Sequence, residues 1–281
     1  VLKDIHKITT ATNKYGNQRR YKIDLSQISC IDIGAISILL SKINELGSRN
    51  LSVWGNVPTK EDCRTFLYDS GFFDHMKDLR GRTFSRSQSN KNLLIRRGFD
   101  RTSNVLIGKE IRRAVEYLTG TEESFRPVFS MAQEMCANSI EHANKDTGKK
   151  NWLFTIYYES DRVVFTMTDI GQGILSTLKK KAHQIVTDTL KQDDVEVLDK
   201  AFDKKYQSAT SDKNRNKGLP KIKKINDEHY VDNLVVITNN VLLYFNDEKK
   251  SKIIETKFPG TFYYWELTNN CIDRWKNRQL N

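Results

Sequence analysis

The chain has 281 residues, 38% hydrophobic and 10% aromatic, with a formal net charge of +11. That is enough apolar material for a real core, which excludes a disordered chain, and the length favours two domains over one. The longest apolar run, "IGAISILL" (33–40), is far too short to span a bilayer, so no membrane association is expected and a cytoplasmic protein is the natural reading.

In chain order, "RYKIDLSQI" (20–28) reads as a strand and "GAISILLSKINEL" (34–46) as a helix ended by Gly47. "LSVWGN" (51–56) is a second strand. "PTKEDCRTFLYDSG" (58–71) is a helix with Pro58 at its start and Gly71 just past its end. This alternation predicts a small α/β domain over 1–76. A polar, basic and Ser-rich stretch follows, and 77–103 reads as a linker; from Lys77 to Arg101 it holds eight basic and two acidic residues.

Helices are predicted over 104–118 and 124–143, then strands over 152–160 and 162–169 joined at a turn near Ser160 and Asp161. "DIGQGI" (169–174) closes the second strand, and some forty polar, helical residues come next. "NKGLPKIKKI" (216–225) opens another helix, and strands at 233–238, 241–246 and 261–268 complete the pattern. The fold class is α+β: a mostly antiparallel sheet with helices on one face over 104–281, preceded by the small α/β domain.

The four cysteines, Cys30, Cys63, Cys136 and Cys271, and the five histidines are scattered, with no metal-type pair. Chemistry-bearing residues concentrate instead in "SMAQEMCANSIEHAN" (130–144). At roughly 100° per residue, Glu134, Asn138 and Glu141 share one helix face and His142 lies beside them. The "D-x-G-x-G" of Asp169, Gly171 and Gly173 is by itself a common turn pattern. Here a second glycine turn at Gly218-Leu219 and "PGTF" (259–262) follow it in order.

That order resembles the ATP-binding domain of the gyrase, chaperone, histidine-kinase and mismatch-repair (GHKL) superfamily, over roughly residues 100–270. E-M-C-A-N-S-I-E-H is most similar to the anti-sigma-factor serine kinases. The resemblance implies ATP and Mg²⁺ as cofactors, with Glu134 and Asn138 in the N box and Asp169, Gly171 and Gly173 in the first glycine box. Lys217, Gly218 and Leu219 fall in the second, and Thr261 in the last. Asn138 then presents a carboxamide oxygen to Mg²⁺, and Glu134 orients or deprotonates a nucleophile. Asp169 accepts from the adenine amine, and Gly171 and Gly173 let the backbone approach base and sugar. Gly218 opens a helix toward the phosphates, where Lys213, Arg215 and Lys217 add charge. The resemblance also implies a lid, roughly 175–217, that orders around the γ-phosphate. The second glycine box is poorer in glycine than the family's pattern, and no phosphoacceptor helical hairpin precedes the domain.

"KIDLSQISCIDIGAISILLSKI" resembles a STAS domain, the fold of anti-sigma-factor antagonists, over residues 15–76. The family's phosphoacceptor serine is missing: Asp32 is followed by Ile33, Gly34 and Ala35. A degenerate docking module is expected, with Ser37 as a helix residue. The resemblance implies a regulatory switch whose partner is a regulatory protein, including one of STAS type, with a homodimer left open. The rival readings are a serine/threonine kinase acting on a separate STAS-type partner and a nucleic-acid-linked ATPase. Nucleic acid ranks behind protein because the basic stretch carries only Phe84 and Phe99 for base stacking.

Overall fold

The computed structural model describes residues 8–11, 20–48, 51–76, 82, 93–99, 104–141, 151–182, 193–203 and 218–279. The architecture is mixed α+β, and the chain divides into two compact units, Val1–Leu94 and Ile95–Asn281.

The first unit holds a three-stranded sheet of β1 (Ile8–Ala11), β2 (Arg20–Ile23) and β3 (Ser52–Gly55), in that order. β1 and β2 are antiparallel, β2 and β3 parallel. A parallel pair needs a crossover, and α1 (Ile33–Ser48) supplies it. The helix buries Ile36, Leu39, Leu40 and Leu46, and α2 (Glu61–Asp69) adds Cys63 and Leu67 to the same core. Asp32 caps α1, its Oδ1 accepting from Ala35 N at 2.7 Å. Ser37 lies inside the helix, fully buried, its hydroxyl donating to Ile33 O at 2.8 Å.

The second unit is built on a five-stranded sheet. Its strands are β4 (Leu93–Phe99), β5 (Asn151–Tyr158), β6 (Arg162–Asp169), β7 (Asp232–Tyr244) and β8 (Lys252–Thr268), in the order β4-β5-β6-β8-β7. The ladders β5–β6, β6–β8 and β8–β7 are antiparallel. α3 (Asn104–Thr119) and α4 (Arg126–Glu141) pack against the sheet, with Cys136 Sγ 3.9 Å from Met167 Sδ on β6. Pro127 stands in the first turn of α4, where a missing N–H is harmless. On the face toward α4, Phe165 is register-paired with Ile156 and Trp265, and its ring stacks on those of Phe154 and Trp265. The second face of β6 is buried too, through Val164, Thr166 and Thr168. β6 is therefore the centre of the core.

The remaining helices are α5 (Ile174–Ala182), α6 (Asp194–Phe202), α7 (Gly218–Asp227) and α8 (Asn269–Gln279). α5 and α6 fall in the span read as a lid. α6 is anchored: Val197, Leu198, Ala201 and Phe202 are buried, Phe202 meets Phe245 edge-on, and Lys223 of α7 reaches Asp199 and Asp203.

The sheet departs from the sequence expectation in three places. The strands expected at 233–238 and 241–246 are one, β7, broken in register at Asn239. β8 starts at Lys252 instead of 261 and runs through Pro259 at the same register shift, where a missing N–H interrupts no regular ladder. β4 lies inside the stretch read as a linker. Arg96 and Arg97 obscured its strand character, yet β4 is an edge strand, and edges accommodate charge.

Phe165→Ala is expected to lower stability by roughly 3–5 kcal/mol, since a fully buried ring in a stacked row leaves a cavity that its neighbours cannot close. Urea denaturation of the whole chain measures it; a loss under about 1 kcal/mol would remove the stack from the core.

Candidate functional site

Two elements of α4 chemistry point in different directions. Its apolar residues Met131, Ala132, Met135 and Cys136 are buried against the sheet, while Glu134 and Asn138 occupy the half-buried flank. That flank meets the start of α7. A β-carbon built on Gly218 would fall 2.9 Å from Glu134 Oε2 and 3.6 Å from both polar atoms of the Asn138 carboxamide. The glycine therefore admits the start of α7, where Gly218 and Leu219 carry backbone N–H groups and Pro220 carries none, directly beside these side chains. Leu219 stands half-buried in the same first turn.

One turn into α7, Lys221 Nζ donates to Glu134 Oε1 at 2.9 Å. Both side chains are partly exposed, at 43% and 29%. Such a pair contributes about 0–1 kcal/mol, so an arriving polyanion can displace it. Lys221 was visible in the sequence only as one lysine in a basic run; its pairing with Glu134 spans 87 residues.

Ser139, next to Asn138, turns to the sheet, its one hydroxyl proton shared between Met135 O at 2.9 Å and Asp169 Oδ2 at 3.2 Å. Asp169 is the last residue of β6 and stands opposite Thr261 of β8, whose backbone N–H and hydroxyl also serve the carboxylate. Burial outweighs these hydrogen bonds and pushes the Asp169 carboxyl up to about 7. The chain can turn back here because of Gly260. Its φ is +119°, and a β-carbon would sit 2.1 Å from Asp169 O and 2.8 Å from Gly171 N.

Gly173 also has a packing reason to be glycine. Its φ is +77°, and the space a β-carbon would fill belongs to Asn239, whose Oδ1 would lie 2.5 Å away. Asn239 is the residue that sequence reasoning missed. It holds a left-handed φ of 55°, is 3% exposed, and sits in the β7 register break. Its Oδ1 accepts from Ser176 N at 3.1 Å, and its Nδ2 donates to Gln172 O at 2.9 Å and Ser176 Oγ at 2.8 Å. Thr238 Oγ1 accepts from Ile174 N at 2.8 Å and donates to Gly260 O at 3.0 Å. Together they staple the glycine loop and the start of α5 to the sheet. The only trace in the sequence is "TNN" (238–240) between two apolar runs.

The structure thus brings Glu134, Asn138, Gly218 and Leu219 together at the α4–α7 contact. It gathers Asp169, Gly171, Gly173 and Thr261 at the end of β6, and α4 joins the two groups. Lys217, Lys213, Arg215, His142 and the side chain of Glu141 lie outside the described residues. Among the described residues no helix is long and apolar enough to cross a membrane. No protein-family model matches the chain, and no curated protein does.

A raised carboxyl has a signed consequence for stability. Folded Asp169 keeps its proton up to about pH 7, whereas the unfolded residue loses it near 3.8. Its contribution is therefore fully present below the unfolded value and is lost as pH rises through 7. Asp169→Asn cannot ionise and is expected to gain on the wild type by a few kcal/mol between about pH 4 and 7. Parallel urea melts across that range test it; a constant difference would mean the carboxyl titrates normally.

Asn239→Ala is expected to cost roughly 2–4 kcal/mol, combining buried groups left without partners and a left-handed backbone. Asn239→Gly should recover only the backbone part. Chemical denaturation separates the two: equal stability of the Ala and Gly variants would show that the backbone conformation costs nothing, and Asn239→Gly as stable as the wild type would show that the side-chain hydrogen bonds contribute nothing.

Proposed function

We propose that residues 104–281 form a Mg-ATP-binding domain of the GHKL type, and that the chain is a nucleotide-dependent regulatory switch whose chemistry is ATP hydrolysis. The observation that carries this reading is the convergence on one helix. α4 sets Glu134 and Asn138 against the N-terminus of α7 at Gly218 and, through Ser139, reaches the buried Asp169.

Each residue has a task suited to its chemistry. Asp169 accepts a hydrogen bond from an exocyclic amine such as that of adenine, with Ser139 and Thr261 holding its carboxylate in place. The first N–H groups of α7 receive phosphate, and Gly218 lets it come close. Glu134 accepts the proton of the attacking nucleophile once its pair with Lys221 opens. Lys221 is then released beside the phosphates it can neutralise.

The residues also suit magnesium. Among the described residues no cluster of three His, Cys, Asp or Glu side chains could hold a metal alone. Asn138, a neutral oxygen donor with a buried and unpartnered Nδ2, fits an ion that takes few protein ligands and arrives with phosphates. When bound, the ion would neutralise charge on the transferred phosphoryl group.

The first unit fits a docking role in this reading. A STAS-like βαβ crossover in which Asp32 is a helix cap and Ser37 is buried and bonded to its own backbone offers no phosphoacceptor at that site. A regulatory protein is accordingly the proposed partner.

Calorimetry with ATP and GTP in the presence of Mg²⁺ is the test. ATP is expected to bind more tightly, Asp169→Asn to weaken it about tenfold or more, and Glu134→Ala to leave it bound while turnover drops at least about a hundredfold. Below pH 7, ATP binding should release a proton, because an amine donor favours the ionised form of Asp169. Equal affinities for ATP and GTP would overturn the reading.

A further inference from the structure

Beside Asn138 lies a group that the reading above does not use. Tyr263 is on β8, register-paired with Met167 of β6 and Val236 of β7, and points to the face that α4 covers. It is 1% exposed, and its hydroxyl makes no well-formed hydrogen bond, the nearby Asn138 carboxamide offering only a weak one. The Asn138 Nδ2 is buried and makes no well-formed bond either. The two groups adjoin each other, and the phenol also faces the Asp169 carboxyl; burial first and that carboxyl second raise its pKa against the weak Asn138 contact, so it stays neutral. What sets this pair apart from the domain's other buried polar atoms without a well-formed bond is that a donor and an acceptor lie side by side. At the Asn239 staple of the same domain, by contrast, every polar atom of the carboxamide is engaged.

A carboxamide has a donor end and an acceptor end, and its use as a metal ligand depends on which end faces the metal. Whatever accepts from Nδ2 decides this. Tyr263 Oη is an acceptor within reach of Asn138, on the face of β8 that looks toward α4. We infer that Tyr263 is the positioning residue of Asn138: its hydroxyl accepts from Asn138 Nδ2 when nucleotide and metal bind, which turns Oδ1 toward the metal. The inference rests on the nucleotide-binding reading and adds to it a reason for metal dependence. It also links the two ends of the site, because the same phenol faces Asp169, the residue assigned to the base. Partners of metal-binding side chains act in this way generally, by fixing which atom a ligand presents.

The test is a Mg²⁺ titration of ATP binding to the whole chain, wild type against Tyr263→Phe, with ATP in EDTA as the metal-free arm. Tyr263→Phe removes one buried oxygen that makes no well-formed hydrogen bond, so its melting temperature is expected to match the wild type or exceed it. The Mg²⁺ concentration for half-maximal binding should rise roughly tenfold or more, while affinity in EDTA stays within about twofold. In an Asn138→Ala background the same substitution should change nothing further, since Tyr263 acts through Asn138. An unchanged Mg²⁺ dependence would overturn the inference, and so would equal weakening with and without metal. Failure of the wild type to bind nucleotide at all would overturn the functional reading itself, a result distinct from either. A measurement on the wild type needs no folded Tyr263 variant. The side-chain amide resonance of Asn138, assigned by its loss in Asn138→Ala, should shift with Mg-ATP and stay in place with ATP in EDTA. An unmoved resonance under Mg-ATP would also overturn the inference.

Discussion

A carboxyl group buried at the end of a central strand constrains everything around it. Asp169 closes β6, the strand with both faces in the core, and has to be either protonated or well supplied with donors. The β6–β8 register answers part of that need by placing Thr261 opposite. α4 answers another part through Ser139, which fixes the rotation of that helix over the sheet. With Ser139 turned inward, Asn138 and Glu134 fall on the flank toward α7. The rotation that satisfies Asp169 is thus the rotation that exposes the polar pair.

The two ends of the site differ in how completely they are bonded. Around the glycine loop, Thr238 and Asn239 engage the backbone of Gln172, Ile174, Ser176 and Gly260, leaving that loop held from several sides. At the α4–α7 contact the bonding is loose. Glu134 has a half-exposed lysine as its partner, and Asn138 Nδ2 and Tyr263 Oη make no well-formed hydrogen bond. The domain thus sets a well-bonded loop beside a polar flank whose groups are incompletely partnered.

In the first unit, the polar groups around the start of α1 serve the helix itself. Asp32 caps α1, and the buried Ser37 hydroxyl bonds back to Ile33 O. What the unit presents is a βαβ frame and its surface.

The sequence alone determined the elements whose signals are local. α1, α3, α4, β5 and β6 follow from periodicity over consecutive residues. The grouping of Glu134 with Asn138 follows from helix geometry, and the helix start at Gly218 from a glycine before an amphipathic run. Tertiary structure decided whatever depends on register or on distant residues meeting. Nothing near Asn239 in the chain shows that its carboxamide will hold a loop more than sixty residues away, because the bulge that aims it exists only once β7 pairs with β8. Nothing near Arg96 and Arg97 marks β4 as a strand, because an edge strand needs no alternation of apolar residues. Lys221 and Tyr263 were an ordinary lysine in a basic run and an ordinary aromatic in a strand. Only the packing of α4 on the sheet and against α7 brings them to Glu134 and Asn138, and a long-range contact of that kind leaves no pattern in the neighbouring residues.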